Sequence, residues 1–190
     1  LVAPSALAFG NGTPLVGQSL LAALPDSGEV ASITPDGRVQ VLPVTQDLGS
    51  PSGMCMMDPE GDWRGMLVVS DVGERLESGV LLQGTGRLLG VNPFDGTVRV
   101  VAPALRTPVS AVAGSAGFFG GLGEVVYVLS AGDIDQDTGF LVPSTGRLSA
   151  FSVDGEETVL IEGLDHPYDM AFRSAEEVVV STATELITVR

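Results

Sequence analysis

Lysine is absent from this 190-residue chain: all nine basic residues are arginine, against 24 acidic ones, and the formal net charge is −15. A nucleic-acid partner wants a basic face that neutralises phosphates, so none is expected. An anionic membrane surface is disfavoured on the same ground. Cys55 is the single cysteine, which rules out an intrachain disulfide and a thiolate zinc cluster. It sits in the apolar run Met54-Cys55-Met56-Met57 and reads as a small core residue. With one cysteine, redox logic leaves the compartment open; an extracellular or periplasmic setting is the expectation. His166 is the single histidine and Trp63 the single tryptophan. Aromatic residues make up 5% of the chain, so a core must rest on Val, Leu, Ile, Met and Ala. No apolar run has the length needed to span a bilayer as a helix. No secretory signal pattern follows Leu1, and no segment of useful length carries a helical period.

Several catalytic signatures are missing as well. There is no Gly-x-Gly-x-x-Gly opening a helix and no Gly-Lys-Ser/Thr phosphate loop. There is no Gly-x-Ser-x-Gly nucleophile elbow.

Glycine and proline are plentiful, at 25 and 12 residues, and sit mostly at segment ends, as in an all-β protein with many turns. One phrase recurs. Gly86-Arg87-Leu88-Leu89-Gly90-Val91 runs through the turn Phe94-Asp95-Gly96 into Thr97-Val98-Arg99-Val100-Val101. It is preceded by Glu29-Val30-Ala31-Ser32-Ile33-Thr34-Pro35-Asp36-Gly37 and followed by Gly146-Arg147-Leu148-Ser149-Ala150-Phe151-Ser152-Val153-Asp154-Gly155. The turn glycines Gly37, Gly96 and Gly155 are 59 residues apart both times, which marks an internal structural repeat.

Four units follow, at about 1–47, 48–105, 106–164 and 165–190. Each opens on a proline-led strand: Pro4 to Phe9, Pro51 to Met56, Pro108 to Ala113, and Pro167 to Phe172. Second strands are expected at Gln18 to Leu24, Gly65 to Ser70, Val125 to Ser130, and Glu177 to Ser181, with the recurring hairpin as strands three and four. Unit four ends on a strand at Glu185 to Arg190 and shows no fourth. The fold class is therefore all-β, a β-propeller of four-stranded antiparallel blades with three complete blades and a partial fourth. Half of a larger ring fits this pattern, so further blades or a homo-oligomer are expected as partners.

Leu164-Asp165-His166-Pro167-Tyr168-Asp169-Met170-Ala171-Phe172, with Thr145-Gly146-Arg147-Leu148 and Val153-Asp154-Gly155, resembles the blades of a broad group of six-bladed propellers. That group holds the NHL-repeat, SMP-30/gluconolactonase-like and glucose/sorbosone dehydrogenase-like families. It differs from the WD40 and kelch families, because Trp63 is not followed by Asp and no Gly-Gly signature precedes a Tyr and Trp. The resemblance implies acidic and amide side chains converging on Ca²⁺ at a central channel, with a quinone added in the dehydrogenases. By position in a blade, only Asp169 and His166 carry over.

Strand alternation places the entries into first strands on the same face as the connections between strands two and three. That face gathers Asp47-Leu48-Gly49-Ser50, Leu105-Arg106-Thr107, Asp165-His166 and two long loops, Asp71 to Thr85 and Ala131 to Thr145. Binding residues concentrate on such loops, so Asp71, Arg106 and Asp165 are candidate ligand-face residues. In the second loop, Asp133-Ile134-Asp135-Gln136-Asp137-Thr138-Gly139 alternates acidic oxygens before a glycine turn, as a Ca²⁺ loop does. Asp133, Asp135 and Asp137 are thus candidate metal ligands; a solvated acidic turn is the alternative. The equivalent loop of unit two is read with Gly73, Arg75 and Glu77 in their places. His166 could act as a general base, oriented by Asp165 or Asp169. Asp169 takes the inner-strand position held by Ala6, Gly53 and Ser110, which would aim it at the channel. Phe118-Phe119, in a glycine-rich loop on the opposite face, is a candidate contact patch.

Two functions remain in view. One is a non-catalytic propeller that presents its loop face to a small molecule or a protein. The other is a Ca²⁺-dependent lactonase or quinone-dependent sugar dehydrogenase-like enzyme with its site on that face. Beyond a possible Ca²⁺ no cofactor is expected.

Overall fold

Short runs of Val, Leu and Ala, each closed by a Gly, Pro or Asp turn, build four antiparallel sheets in the computed structural model, which describes residues 3–114, 124–174 and 177–189. Phe118 and Phe119 lie outside the described residues. Blade one is Ala6–Phe9, Leu20–Leu24, Glu29–Ile33 and Val39–Val41. Blade two is Pro51–Met56, Leu67–Asp71, Gly86–Val91 and Val98–Leu105. Blade three is Pro108–Gly114, Val125–Ser130, Gly146–Phe151 and Glu157–Leu164, and blade four is Asp169–Ser174, Glu177–Ser181 and Leu186–Val189. Within each sheet sequential strands are neighbours. The chain is thus a series of β-propeller blades, and no helix among its described residues is long and apolar enough to cross a membrane.

Proline explains where two first strands begin. It has no N–H to give to a ladder, and in blades one and four pairing starts only at Ala6 and Asp169, two residues after Pro4 and Pro167. In blades two and three Pro51 and Pro108 are themselves in register, next to an irregularity in the pairing.

Three buried clusters hold the blades together. The first joins Leu21, Ala23 and Val30 of blade one to Met54, Leu67, Val69, Leu89 and Val91 of blade two. Alternate residues of the same strands, such as Cys55, Val68 and Leu88, turn the other way and pack on Val126, Val128 and Phe151 of blade three. The third cluster sets Tyr127, Leu129 and Leu148 against Met170, Val178 and Val180 of blade four. Middle blades are therefore apolar on both faces, which is why their second strands read as continuous apolar runs. Burial also pushes the Cys55 thiol up to about 12, as expected for a group whose charged form loses its water.

The recurring turn glycines have a packing role besides their left-handed backbone. A Cβ on Gly96 (φ 73°) would collide with the carbonyl oxygen of Pro43 in blade one, and one on Gly155 (φ 82°) with that of Val101 in blade two. Each hairpin thus presses backbone to backbone on the outer edge of the preceding blade. Gly37, at the same turn of blade one, meets nothing within 4 Å.

Candidate functional site

The four first strands surround a central cavity of about 560 Å³, lined among others by Ser5, Ser52, Gly53, Ser110, Tyr168 and Asp169. The seams beside it are tied by hydroxyls. Ser5 Oγ donates to the Pro51 carbonyl at 2.6 Å, and Ser52 Oγ to the Pro108 carbonyl at 2.7 Å. Ser110 Oγ donates to Asp169 Oδ1 at 2.8 Å, and the same oxygen accepts the Met170 N–H at 2.8 Å. Asp169 is exposed. Both of its carboxylate bonds use Oδ1, and Oδ2 takes no hydrogen bond among the described residues.

His166 stands at the entry to the first strand of blade four, in a left-handed conformation (φ 45°) before Pro167. Its Nδ1 is 2.9 Å from Asp165 Oδ1, which also accepts the Ser144 N–H at 3.3 Å. The structure brings His166 to Asp165. Tyr168 and Asp169 line the channel cavity, and His166 does not.

Asp71 is committed within blade two. Its carboxylate is almost fully buried and accepts the N–H groups of Ser50 (2.8 Å) and Gly73 (3.0 Å). Arg87 closes on it with Nε at 2.7 Å and Nη2 at 2.6 Å. Gly49 makes room: a Cβ there would sit 2.5 to 2.6 Å from the carboxylate atoms of Asp71. Blade three replaces the pair together. Register puts Ser130 opposite Arg147 as Asp71 is opposite Arg87, and Arg106 takes the place of Gly49. Arg147 turns instead to Glu157 Oε1 at 3.0 Å.

The two long loops share one design, with a correction to their alignment. Asp71 is the last residue of a strand, not the start of the loop. Isolated bridges pair Arg75 with Leu81 and Ile134 with Leu141. The N–H groups of Glu74 and Asp133 donate to Thr85 and Thr145 hydroxyls, which in turn donate to Leu82 and Val142 carbonyls. Asp133 therefore matches Glu74, and Asp135 matches Leu76. Blade three carries one extra residue before Gly139, the counterpart of Gly79. The expected match of Gly73, Arg75 and Glu77 to the three aspartates was out of register.

The loops also clasp each other. Gln83 Oε1 accepts the Ile134 N–H at 2.8 Å and Gln83 Nε2 donates to Asp133 Oδ1 at 2.5 Å, while Gln136 Nε2 donates to the Leu81 carbonyl at 3.1 Å. Asp133 Oδ2 meets Arg106 Nη1 at 3.3 Å. Asp135 Oδ1 accepts the N–H groups of Thr138 (3.1 Å) and Asp137 (2.9 Å), and these bonds hold its carboxyl below the usual carboxylate range. Asp133 and Asp135 thus serve separate partners. Among the described residues no group of three or more His, Cys, Asp or Glu side chains could hold a metal ion.

Sequence reasoning missed Gln83, the residue that joins the loops, and the Trp63–Glu124 pair beneath the opposite face. Trp63 is fully buried; its indole N–H donates to the Glu124 carbonyl at 3.2 Å, and its backbone N–H to Glu124 Oε2 at 3.2 Å. The hydroxyl knots could have been found, because Thr85-Gly86 and Thr145-Gly146 recur in register.

The sequence matches no protein-family signature and no curated protein. The fold does have solved counterparts. A gluconolactonase of Xanthomonas campestris is similar at a TM-score of 0.65 and 15% identity, over 97% of this chain and 57% of that one. A Thermus thermophilus protein described as a candidate oxidoreductase (glucose dehydrogenase) reaches 0.61 at 17% identity, over 95% and 57% of the two chains. A chain of a nidogen/laminin complex reaches 0.60 at 13% identity, over 97% and 64%. This chain spans less than two thirds of the length of each. At such identities the likeness speaks for architecture alone: this chain is a four-bladed array of β-propeller type, built like the blades of gluconolactonase and glucose dehydrogenase-like propellers.

Proposed function

We propose that this chain is a binding scaffold that takes a small, cationic, hydroxyl-bearing ligand at the mouth of its central channel. The observation that carries the reading is Asp169, an exposed carboxylate lining the cavity with Oδ1 fixed by Ser110 and Oδ2 open. A cavity of about 560 Å³ suits a small molecule. Tyr168, 59% exposed beside it, offers an aromatic face to a cation. The net charge of −15 raises the local concentration of cations. The clasped loops of blades two and three give the same face a stiff rim, which lowers the ordering cost of binding.

Thermal unfolding in the presence of glucosamine and of glucose tests this. The two differ in one ammonium group. Glucosamine should raise the melting temperature of the wild type, glucose much less, and Asp169→Asn should remove the difference. Equal shifts from both sugars, or none from either, would count against the reading.

A second reading is an enzyme acting on a sugar-derived lactone or on a sugar, favoured by the fold shared with a gluconolactonase and a glucose dehydrogenase-like protein. Asp169 and the His166–Asp165 pair are then the groups able to move a proton. Opening of D-glucono-1,5-lactone above its spontaneous rate, followed with calcium and with chelator, would support this reading; a rate equal to the blank would remove it.

A further inference from the structure

Blades two and three treat the same arginine position differently. In blade two a cavity opens beside Arg87, and its two arginines, Arg75 and Arg87, stand against three carboxylates, Asp26, Asp71 and Glu74. Asp71 satisfies Arg87, because Nε and Nη2 both reach its Oδ2. The cavity beside Arg147 in blade three is about 220 Å³ and is lined by Arg106, Ser144, Thr145, Arg147, Glu162 and Gly163. There two arginines stand against one carboxylate, in a chain whose net charge is −15. Three matching positions have changed. Ser130 stands for Asp71, Arg106 for Gly49 and Ser144 for Gly84. A side chain at position 49 would strike the Asp71 carboxylate, so losing that carboxylate is what admits Arg106.

The exchange leaves Arg147 with a donor to spare. Its Nη2 meets Glu157 Oε1 at 3.0 Å, but its Nε is buried and has no hydrogen-bond partner. A buried donor without an acceptor costs free energy that a partner would return. In blade two Asp71 is that partner; in blade three the chain provides none. Arg106 is half-exposed and touches Asp133 through Nη1 alone. Ser144 brings a hydroxyl to the cavity while holding the left-handed backbone (φ 57°) that Gly84 holds (φ 73°) in blade two.

We propose that this cavity binds the carboxylate of a small ligand, which supplies to Arg147 the acceptor that Asp71 supplies to Arg87. One Nη2 contact holds the guanidinium to Glu157; when it swings off, Nε is opened to the ligand. Arg106 adds the second positive charge and Ser144 a hydroxyl donor. A planar guanidinium fork matches a carboxylate in geometry as well as charge. Glu162, exposed at the rim, repels a dianion more than a monoanion, which favours a single carboxylate. The site is independent of the channel reading, since none of its residues lines the channel cavity.

Nuclear magnetic resonance of the nitrogen-15-labelled 190-residue chain tests it through the Nε–H signal of Arg147. That signal is assigned by its loss in Arg147→Lys and followed as acetate replaces chloride at constant ionic strength. Acetate should shift it saturably, and sulfate should bind more weakly than acetate. Arg106→Ala should weaken acetate binding by about fivefold, as loss of one partly exposed charge implies. The double variant Arg106→Gly with Ser130→Asp rebuilds the arrangement of blade two, and its Arg147 signal should no longer respond to acetate. No saturable shift in the wild type would overturn the proposal. So would undiminished binding in Arg106→Ala, or a response that survives in a folded double variant. Sulfate binding more tightly than acetate would overturn the assignment to a carboxylate.

Discussion

Ser110 and Asp169 stand on the first strands of neighbouring blades, and the hydroxyl of one donates to the carboxylate of the other at 2.8 Å. At the two earlier seams a serine hydroxyl reaches a proline carbonyl instead, from Ser5 to Pro51 and from Ser52 to Pro108. Blade four therefore brings a charge into the channel while keeping a hydroxyl tie to the blade before. Ser110→Ala should lower stability by about 1 kcal/mol, the net worth of one such bond, read as a shift in the urea midpoint at constant slope. A change below a few tenths would mean that the tie contributes nothing to the seam.

The Asp71 knot is a stronger stabiliser. Asp71→Ala would strand the N–H groups of Ser50 and Gly73 and release Arg87. Breaking a buried, fully bonded pair from one side costs about 3–5 kcal/mol; the part-exposed Arg87 side chain can recover water, so about 3 kcal/mol is expected. Gly49→Ala should also destabilise, since its new methyl group falls on the Asp71 carboxylate. Denaturant titration of both variants checks this, and a wild-type midpoint for Asp71→Ala would contradict it.

Cys55 should be inert in the folded chain. Its thiol is raised by burial to about 12, above the ordinary value of 9.0, so little thiolate forms near neutral pH. A disulfide reagent should react slowly with native protein and fast in denaturant. The sign for stability follows: the raised value adds stability that is whole below pH 9 and is lost as the pH climbs above it, where only the unfolded thiol ionises. Fast native labelling would show that the cluster around Cys55 opens readily.

Trp63 gives the fold a built-in reporter. Glu124 caps the backbone N–H groups of Asp58 and Trp63 through its two carboxylate oxygens. Glu124→Ala should cost about 2 kcal/mol and move the tryptophan emission to longer wavelength as water reaches the indole. An unshifted spectrum would mean that the apolar packing alone seals Trp63.

Much of the architecture was legible because one constraint repeats. Gly96 and Gly155 must be glycine to clear Pro43 and Val101, so the packing of blade on blade is written into the spacing of the turns. Strands such as Val125–Ser130 and Glu177–Ser181 fall where the apolar runs place them. The loop alignment did not come out of spacing alone. Asp71 looks like a loop residue, but Arg87 holds it in the ladder, and that bond joins positions far apart in sequence. Gln83 was invisible for a similar reason: its partners, Asp133 and Ile134, lie in another blade. The aspartates of that loop suggest metal ligands because acidic oxygens alternate before a glycine turn; in the fold Asp135 accepts from its own turn, and Asp133 meets Gln83 and Arg106, partners that spacing does not show.

The ligand reading stands or falls on Asp169, and calorimetric titration of glucosamine into wild type and Asp169→Asn, with glucose as the neutral control, tests it most directly. The variant keeps an acceptor for Ser110, so the fold should be unchanged. The account predicts measurable heat and saturation for glucosamine in the wild type, and at least about tenfold weaker binding in the variant, as loss of a charge-assisted bond implies. Equal affinity in the two proteins, or glucose binding as tightly as glucosamine, would contradict it.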